Sequence, residues 1–142
     1  MTSTEAMAGH LEASVPRWKP WLGRALSALP ILAMLASAAM KLSGQPQVLE
    51  LFSGKYGFPR HLLPVIGVLE LACAALYAIP ATSVIGAVLV SAYFGGAVVT
   101  HVRVGEAVAV PVLLGVLAWA GLYLRDARIR ALMPLRRTAD RT

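Results

Sequence analysis

The sequence predicts an all-α integral membrane protein built as an up-down four-helix bundle, and three observations carry that prediction. Of its 142 residues 58% are apolar and 14% charged, whereas soluble domains have roughly 45–50% and about 25%. The charges cluster and leave four nearly uncharged segments of about 18 residues, each long enough as a helix for a hydrocarbon layer of ~30 Å. The links between the last three segments are short, which makes neighbouring helices antiparallel. The composition excludes a soluble enzyme, a disordered chain and, with its one cysteine, a disulfide scaffold.

The uncharged segments define the expected domain organisation. The spans are predicted at about residues 22–40, 62–79, 83–100 and 107–124. Around them we expect a flexible cytoplasmic tail over 1–20, a membrane domain over 21–126 and a basic cytoplasmic tail over 127–142. The turn before the third span is uncharged, and Thr82 or Ser83 can cap the helix that follows it.

The distribution of basic residues predicts the orientation. Nine of the 13 Lys and Arg residues lie in the two terminal regions, and four lie on the opposite side in the first and third loops. Because Lys and Arg accumulate on the cytoplasmic side, both termini are expected in the cytoplasm. The predicted location is a prokaryotic cytoplasmic membrane, crossed several times. The same rule explains the net charge of +6, and no nucleic-acid partner is expected, since no recognition helix or base-stacking motif is present.

The first span has an alternative interpretation. Basic residues, an apolar run and then Ala36-Ser37-Ala38 resemble a signal peptide with a small-residue cleavage site. The apolar run is long for a signal peptide, and the chain that precedes it is unusual. We therefore predict a retained helix.

The longest loop joins the first two spans, and its residues 45–58 are predicted at the outer interface. Apolar and polar residues alternate there in the pattern of a short amphipathic helix. Such a segment either lies on the bilayer or caps the bundle.

Glu70 is the first candidate for chemistry. It is the ninth residue of an 18-residue span, where a charged side chain costs of the order of 2.5–3.5 kcal/mol on insertion scales. The side chain should therefore face the bundle interior, where it either locks two helices together or acts as an acid or base.

Lys41 and His101 are the expected neighbours of Glu70. They end the first and third spans on the outer side, and side chains lean toward the amino terminus of their own helix. Both therefore lean inward, while Glu70 leans outward across an axial gap of about 10 Å or more. His101 is a candidate proton relay, and Lys41 either pairs with Glu70 or extends to the headgroups.

Four further residues are candidates for ligand binding. Thr100 and Arg103 flank His101, and Arg103 alternatively binds lipid phosphate. Tyr77 shares a helix face with Glu70 and otherwise belongs to an interfacial aromatic belt. Tyr93 lies beside small residues of the third span, which either bring helices close together or leave room for a flat lipophilic ligand.

Metal and nucleotide sites are not predicted. The three histidines have no ligand spacing within one helix, although His61 and His101 could meet at the outer interface. No glycine-rich nucleotide loop or nucleophile elbow is present. Cys73 is alone and is expected to pack in the core.

Several motifs in serial order resemble the DoxX-like family of small four-helix membrane proteins. They are Ala38-Ala39-Met40-Lys41-Leu42, the run from Leu63 to Leu71, the run from Gly95 to Gly105, Leu114 to Trp119, and Tyr123-Leu124-Arg125. The resemblance covers about residues 25–134 and implies a four-helix membrane bundle. Relatives in the family include a subunit associated with thiosulfate:quinone oxidoreduction and a membrane partner in an oxidative-stress complex.

The resemblance and the candidate residues together suggest three functions. The first is an auxiliary subunit of a quinone-linked redox system, with a quinone as ligand, a redox protein as partner and self-association as a further expectation. The second is a stand-alone membrane enzyme, an isomerase or hydrolase, with Glu70 as general acid or base. The third is a transporter, which ranks last because the inverted repeats and broken helices of transporters are absent.

Overall fold

The computed structural model describes residues 18–133, and the secondary structure within this range is entirely helical. The four long helices are α1 (Trp18–Leu42), α3 (Leu63–Ala78), α4 (Ser83–Arg103) and α5 (Ala109–Arg125). The short helices α2 (Pro46–Leu49) and α6 (Ala127–Leu132) complete the set of α-helices. A π-helical turn (Glu50–Lys55) and a 3₁₀ turn (Arg60–Leu62) lie between α2 and α3.

The long helices pack in a ring. Helix α1 contacts α3 and α5, α3 contacts α4, and α4 contacts α5. Three helices, Trp18–Leu42, Arg60–Ala78 and Ser83–Arg103, are long and apolar enough to cross a membrane, and Ala109–Arg125 is apolar but shorter at 17 residues. The outward faces are apolar as well; Val110, for example, is 67% exposed. Helices that are apolar all round belong in lipid, so this is a multi-pass membrane protein.

Two helices extend beyond the predicted spans. Helix α1 begins at Trp18 and ends at Leu42, and α4 continues to Arg103, three residues past the predicted end. Hydropathy ends a span at the first charged residue, but Lys and Arg are good helix formers, so the backbone continues through them. Lys41 and His101 therefore lie within helices, whose geometry fixes where their side chains point.

The buried faces follow helical spacing. On α3 the buried residues are Leu63, Gly67, Glu70, Cys73, Ala74 and Tyr77, and on α1 they are Gly23, Ser27, Pro30, Met34, Ala38 and Lys41. Glu70 and Lys41 thus continue apolar stripes three or four residues apart. The stripes turn both charged side chains toward the ring interior.

The turn between α3 and α4 differs from the prediction in one detail. Neither Thr82 nor Ser83 caps α4 with its side chain. The Thr82 hydroxyl instead donates to the carbonyl oxygen of Leu76 (2.8 Å), and that of Ser83 donates to Pro80 (3.1 Å). The Thr82 hydroxyl thus satisfies a carbonyl group in the last turn of α3, where the helix lacks its own donors, and the Ser83 hydroxyl satisfies one in the link.

Candidate functional site

Glu70 and Lys41 form an ion pair inside the ring of helices. Lys41 Nζ lies 2.8 Å from Glu70 Oε2, and both side chains are 2% exposed. Lys41 also donates to the hydroxyl and to the carbonyl oxygen of Ser37, one turn earlier on α1. The ammonium group therefore has an acceptor for each of its three protons. Lys41 does not extend to the headgroups, because its partners lie inside.

Phe52 covers this pair from the segment that joins α1 to α3. Its ring centroid lies 4.8 Å from Lys41 Nζ, within the range of a cation–π contact. Phe52 also packs edge-on against Tyr56 at 5.5 Å and lies 6.4 Å from Phe58. We call residues 45–58 the capping segment, because these aromatic side chains cover the helices rather than extending away from them.

The capping segment is fastened to the far side of the ring by a polar cluster. The Tyr56 hydroxyl donates to Glu106 Oε2 (2.8 Å), Lys55 pairs with Glu106 Oε1, and Arg103 donates to the Tyr56 carbonyl oxygen. His101 Nε2 lies 3.7 Å from Glu106 Oε2, and its ring lies 5.7 Å from that of Tyr56. Glu106, in the link between α4 and α5, is thus the common partner of the cluster.

A cavity of about 640 Å³ lies beneath the capping segment. Five predicted site residues line it: Lys41, Glu70, Tyr93, Thr100 and His101. Tyr93 comes close to both Glu70 and Ser37, while apolar side chains form most of the remaining wall. The sequence prediction therefore converges on one space, with the buried ion pair on its wall.

Two predicted site residues lie elsewhere. The Tyr77 hydroxyl donates to the Ala118 carbonyl oxygen (2.6 Å) and lies 2.8 Å from Ser27 Oγ, so it joins α3 to α5 and α1. Arg125 lies over the Tyr77 ring at 4.8 Å. Arg103 does not line the cavity and holds the capping segment instead.

Ser37, Phe52, Tyr56 and Glu106 were not among the predicted site residues. Ser37 could have been found from its spacing, because it lies four residues before Lys41 on one helix face. Glu106 could have been found as a lone carboxylate in a basic outer loop region. The sequence does not indicate that Phe52 and Tyr56 belong to the site, since their positions depend on the π-helical turn.

A second space, a groove between α4 and α5, is larger but is lined mostly by apolar side chains. Its volume is about 810 Å³, and its walls are apolar apart from the Ser91 and Tyr123 hydroxyls and the Trp119 indole, which donates to Ser91 Oγ (2.7 Å). Gly95 and Gly96 both face open space rather than a neighbouring helix, Gly95 in this groove and Gly96 in the cavity. The smaller cavity is the candidate site because it holds the charged and titratable groups.

We expect acid to loosen the capping segment. Hydrogen bonds from Lys55 and Tyr56 hold the pKa of Glu106 below its ordinary value, and the nearby charges of Lys55 and His101 also favour the carboxylate. A lowered pKa stabilises the closed arrangement above the ordinary pKa, and this contribution is lost as the pH falls through the lowered one. The contribution of Glu106 to closure is therefore fully present above its ordinary pKa of about 4.3 and is lost at lower pH.

A spin label at position 50, in a Cys73→Ala background, measures this directly. Its mobility should stay low at neutral pH and rise below about pH 4. Lys55→Ala removes the main cause of the lowered pKa, so the rise should move to higher pH. An unchanged transition in Lys55→Ala would contradict the assignment of Glu106 as the common partner.

A comparison with protein families identifies the chain's relatives. The model of the DoxX-like family matches residues 25–121. Searches of curated proteins and of solved structures gave no match. The family match spans more than half of the sequence and contains Lys41, Glu70 and His101. The chain therefore belongs to the DoxX-like family.

Proposed function

We propose that the cavity binds a lipophilic small molecule with a polar head, of the quinone class, and that the protein is an auxiliary membrane subunit of a quinone-linked redox system. The observation that carries the proposal is the Lys41–Glu70 pair on the cavity wall. Buried ion pairs are costly and often mark functional sites in membranes. The redox assignment is supported by the resemblance to quinone-associated members of the family.

The cavity suits such a ligand in size and polarity. Its volume of about 640 Å³ lies within the 300–1,000 Å³ of typical small-molecule sites. Leu69 and Val110 line it and are also 54% and 67% exposed on the outside of the ring. An apolar tail can therefore pass between helices into lipid, while the head lies near Glu70.

In this proposal the chain binds the ligand and moves protons. A bound ligand of the quinone class would supply the electron-carrying chemistry, as quinone or hydroquinone, and a redox protein partner would supply the electron path. Glu70 holds a proton or accepts a hydrogen bond at the head, and His101 exchanges protons between the cavity and the exterior. Thr100, Tyr93 and Lys41 orient the head, and Phe52 excludes water from above.

We also propose the finer topology. The four long helices cross the membrane in alternating directions, with residues 1–20 and 127–142 on the cytoplasmic side. The short link between α3 and α4 and the excess of Lys and Arg in the terminal regions support this arrangement. The cavity and the capping segment then lie in the outer half of the membrane. Topology reporters fused at residues 50 and 142 should indicate opposite sides of the membrane.

A stand-alone isomerase or hydrolase is the second candidate, because Glu70 is buried on the wall of the cavity, where a general acid or base would lie. It requires turnover of a lipophilic substrate by the purified protein alone. The auxiliary-subunit proposal instead predicts that activity depends on a redox partner.

Mass spectrometry of the lipophilic molecules that co-purify with the protein tests the proposal. Wild type should carry a quinone or a related molecule, and Glu70→Gln should lose at least nine-tenths of it. Glu50→Gln is the matched control, because Glu50 is exposed and does not line the cavity. Equal recovery from wild type and Glu70→Gln, or phospholipid alone in all three samples, would overturn the proposal.

A further inference from the structure

The polar groups on the cavity wall have an uneven supply of hydrogen-bond donors and acceptors. Each proton of Lys41 already has an acceptor in Ser37 or Glu70. The Thr100 hydroxyl donates to the Gly96 carbonyl oxygen (2.9 Å), and the Tyr56 hydroxyl donates to Glu106. The protons of Lys41, Thr100 and Tyr56 therefore already have acceptors within the protein.

His101 follows the same pattern. Its Nδ1 lies 2.7 Å from the Ala97 carbonyl oxygen, which can only accept a hydrogen bond. Nδ1 therefore carries a proton that is used within the protein, while Nε2 lies 3.7 Å from Glu106 Oε2.

The acceptors on the wall are in excess. The Glu70 carboxylate has about four lone-pair positions, and among residues 18–133 one hydrogen bond, from Lys41 to Oε2, is made to it. Thr100 Oγ1 retains acceptor capacity after donating its proton. The Tyr93 hydroxyl lies beside Glu70 and can donate to one further position, which still leaves about two of the four open.

We propose that the cavity selects a ligand whose head carries an O–H donor, which Glu70 accepts: an alcohol or a phenol, and within the quinone class the hydroquinone rather than the quinone. This inference rests on the proposed function, because it specifies the ligand of the same cavity. A carbonyl head would bring a further acceptor toward the carboxylate and leave its open positions without a donor. A hydroxyl head satisfies one of its free positions.

Equilibrium binding of a matched pair of compounds tests the proposal without redox chemistry. The probes are 4-nonylphenol and 4-nonylanisole, which differ by one methyl group in place of the hydroxyl proton, applied to the full chain in lipid nanodiscs. The phenol should bind at least tenfold more tightly to wild type. Glu70→Gln should narrow the ratio to below about threefold, because an amide is a weaker acceptor and competes as a donor. Glu50→Gln should keep the wild-type ratio.

The outcomes separate the inference from the proposed function. Equal binding of the two probes, or tighter binding of the ether, overturns the donor requirement and leaves a lipophilic cavity site intact. A tenfold preference that persists in Glu70→Gln also overturns it, because Glu70 would then not be the acceptor. Binding of neither probe overturns the inference and the proposed function together. The ratio of the two probe affinities in wild type decides by itself whether the ligand must carry a donor. The test therefore does not depend on whether Glu70→Gln folds.

Discussion

Lys41→Met should lower the free energy of unfolding by about 3–5 kcal/mol, because it leaves the Glu70 carboxylate buried without its cation. Glu70 is 1% exposed, so water cannot replace the ammonium group unless the helices separate. Glu70→Gln should cost less, since Lys41 keeps both Ser37 acceptors and the face of Phe52. Reversible unfolding by SDS in mixed micelles measures these values.

The double variant Lys41→Met/Glu70→Leu tests whether Lys41 and Glu70 are energetically coupled. Replacing both partners by apolar residues of similar volume is often neutral or stabilising. The double variant should therefore regain most of the stability lost in Lys41→Met, with a coupling energy above about 2 kcal/mol, and it should not recover ligand binding. A Lys41→Met protein as stable as wild type would show that the two groups are not coupled in the folded state.

Gly86→Ala should be the most disruptive of the glycine substitutions. A Cβ at this position of α4 would lie 2.2 Å from the Tyr77 nitrogen and 2.3 Å from its Cα, both backbone atoms of α3. Neither atom can rotate away, so the two helices must separate beside a four-residue link. The overpacking should cost about 3 kcal/mol, at the upper end of the usual range.

Gly115→Ala is the matched control, because a Cβ there has open space around it. Its stability should equal or slightly exceed that of wild type, as alanine is the better helix former. The same unfolding measurement distinguishes the two glycines. Equal stability of Gly86→Ala and Gly115→Ala would mean that α3 and α4 do not approach each other closely at Tyr77.

The helical framework could be predicted from the sequence because lipid imposes a simple rule on composition. Long apolar segments mark the helices, and Lys41 and Glu70 could be matched from the rise per residue and the direction in which side chains lean. The structure brings these two groups to 2.8 Å. Lys41 could therefore be predicted as a neighbour of Glu70 from the geometry of two helices alone.

The rest depends on contacts that no single segment specifies. The small residues beside Tyr93 on α4 left two alternatives open, close helix packing or room for a flat ligand. Gly95 and Gly96 both face open space, and the close approach occurs at Gly86. Glycine spacing cannot tell which neighbour a helix face meets. Helix α6 lay in a predicted tail, yet it buries Ile129. Its six residues were too few for a periodic signal.

The capping segment illustrates the same limit. Its composition left two arrangements open, on the bilayer or over the bundle. The outcome depends on Lys55 and Tyr56 meeting Glu106, 51 and 50 residues away in the sequence. A contact of that separation has no local signature, although it decides where the aromatic side chains of the cavity lie.

The most direct test of ligand binding in the cavity is the site of photolabelling by a lipophilic hydroquinone that carries a diazirine on its tail-proximal ring position. We expect adducts on residues that line the cavity, such as Phe52, Tyr93 and Leu114. Unlabelled hydroquinone should compete with the label, and Glu70→Gln should reduce labelling at least tenfold. Labelling confined to the groove between α4 and α5, around Val116 and Trp119, and unaffected by Glu70→Gln, would contradict it.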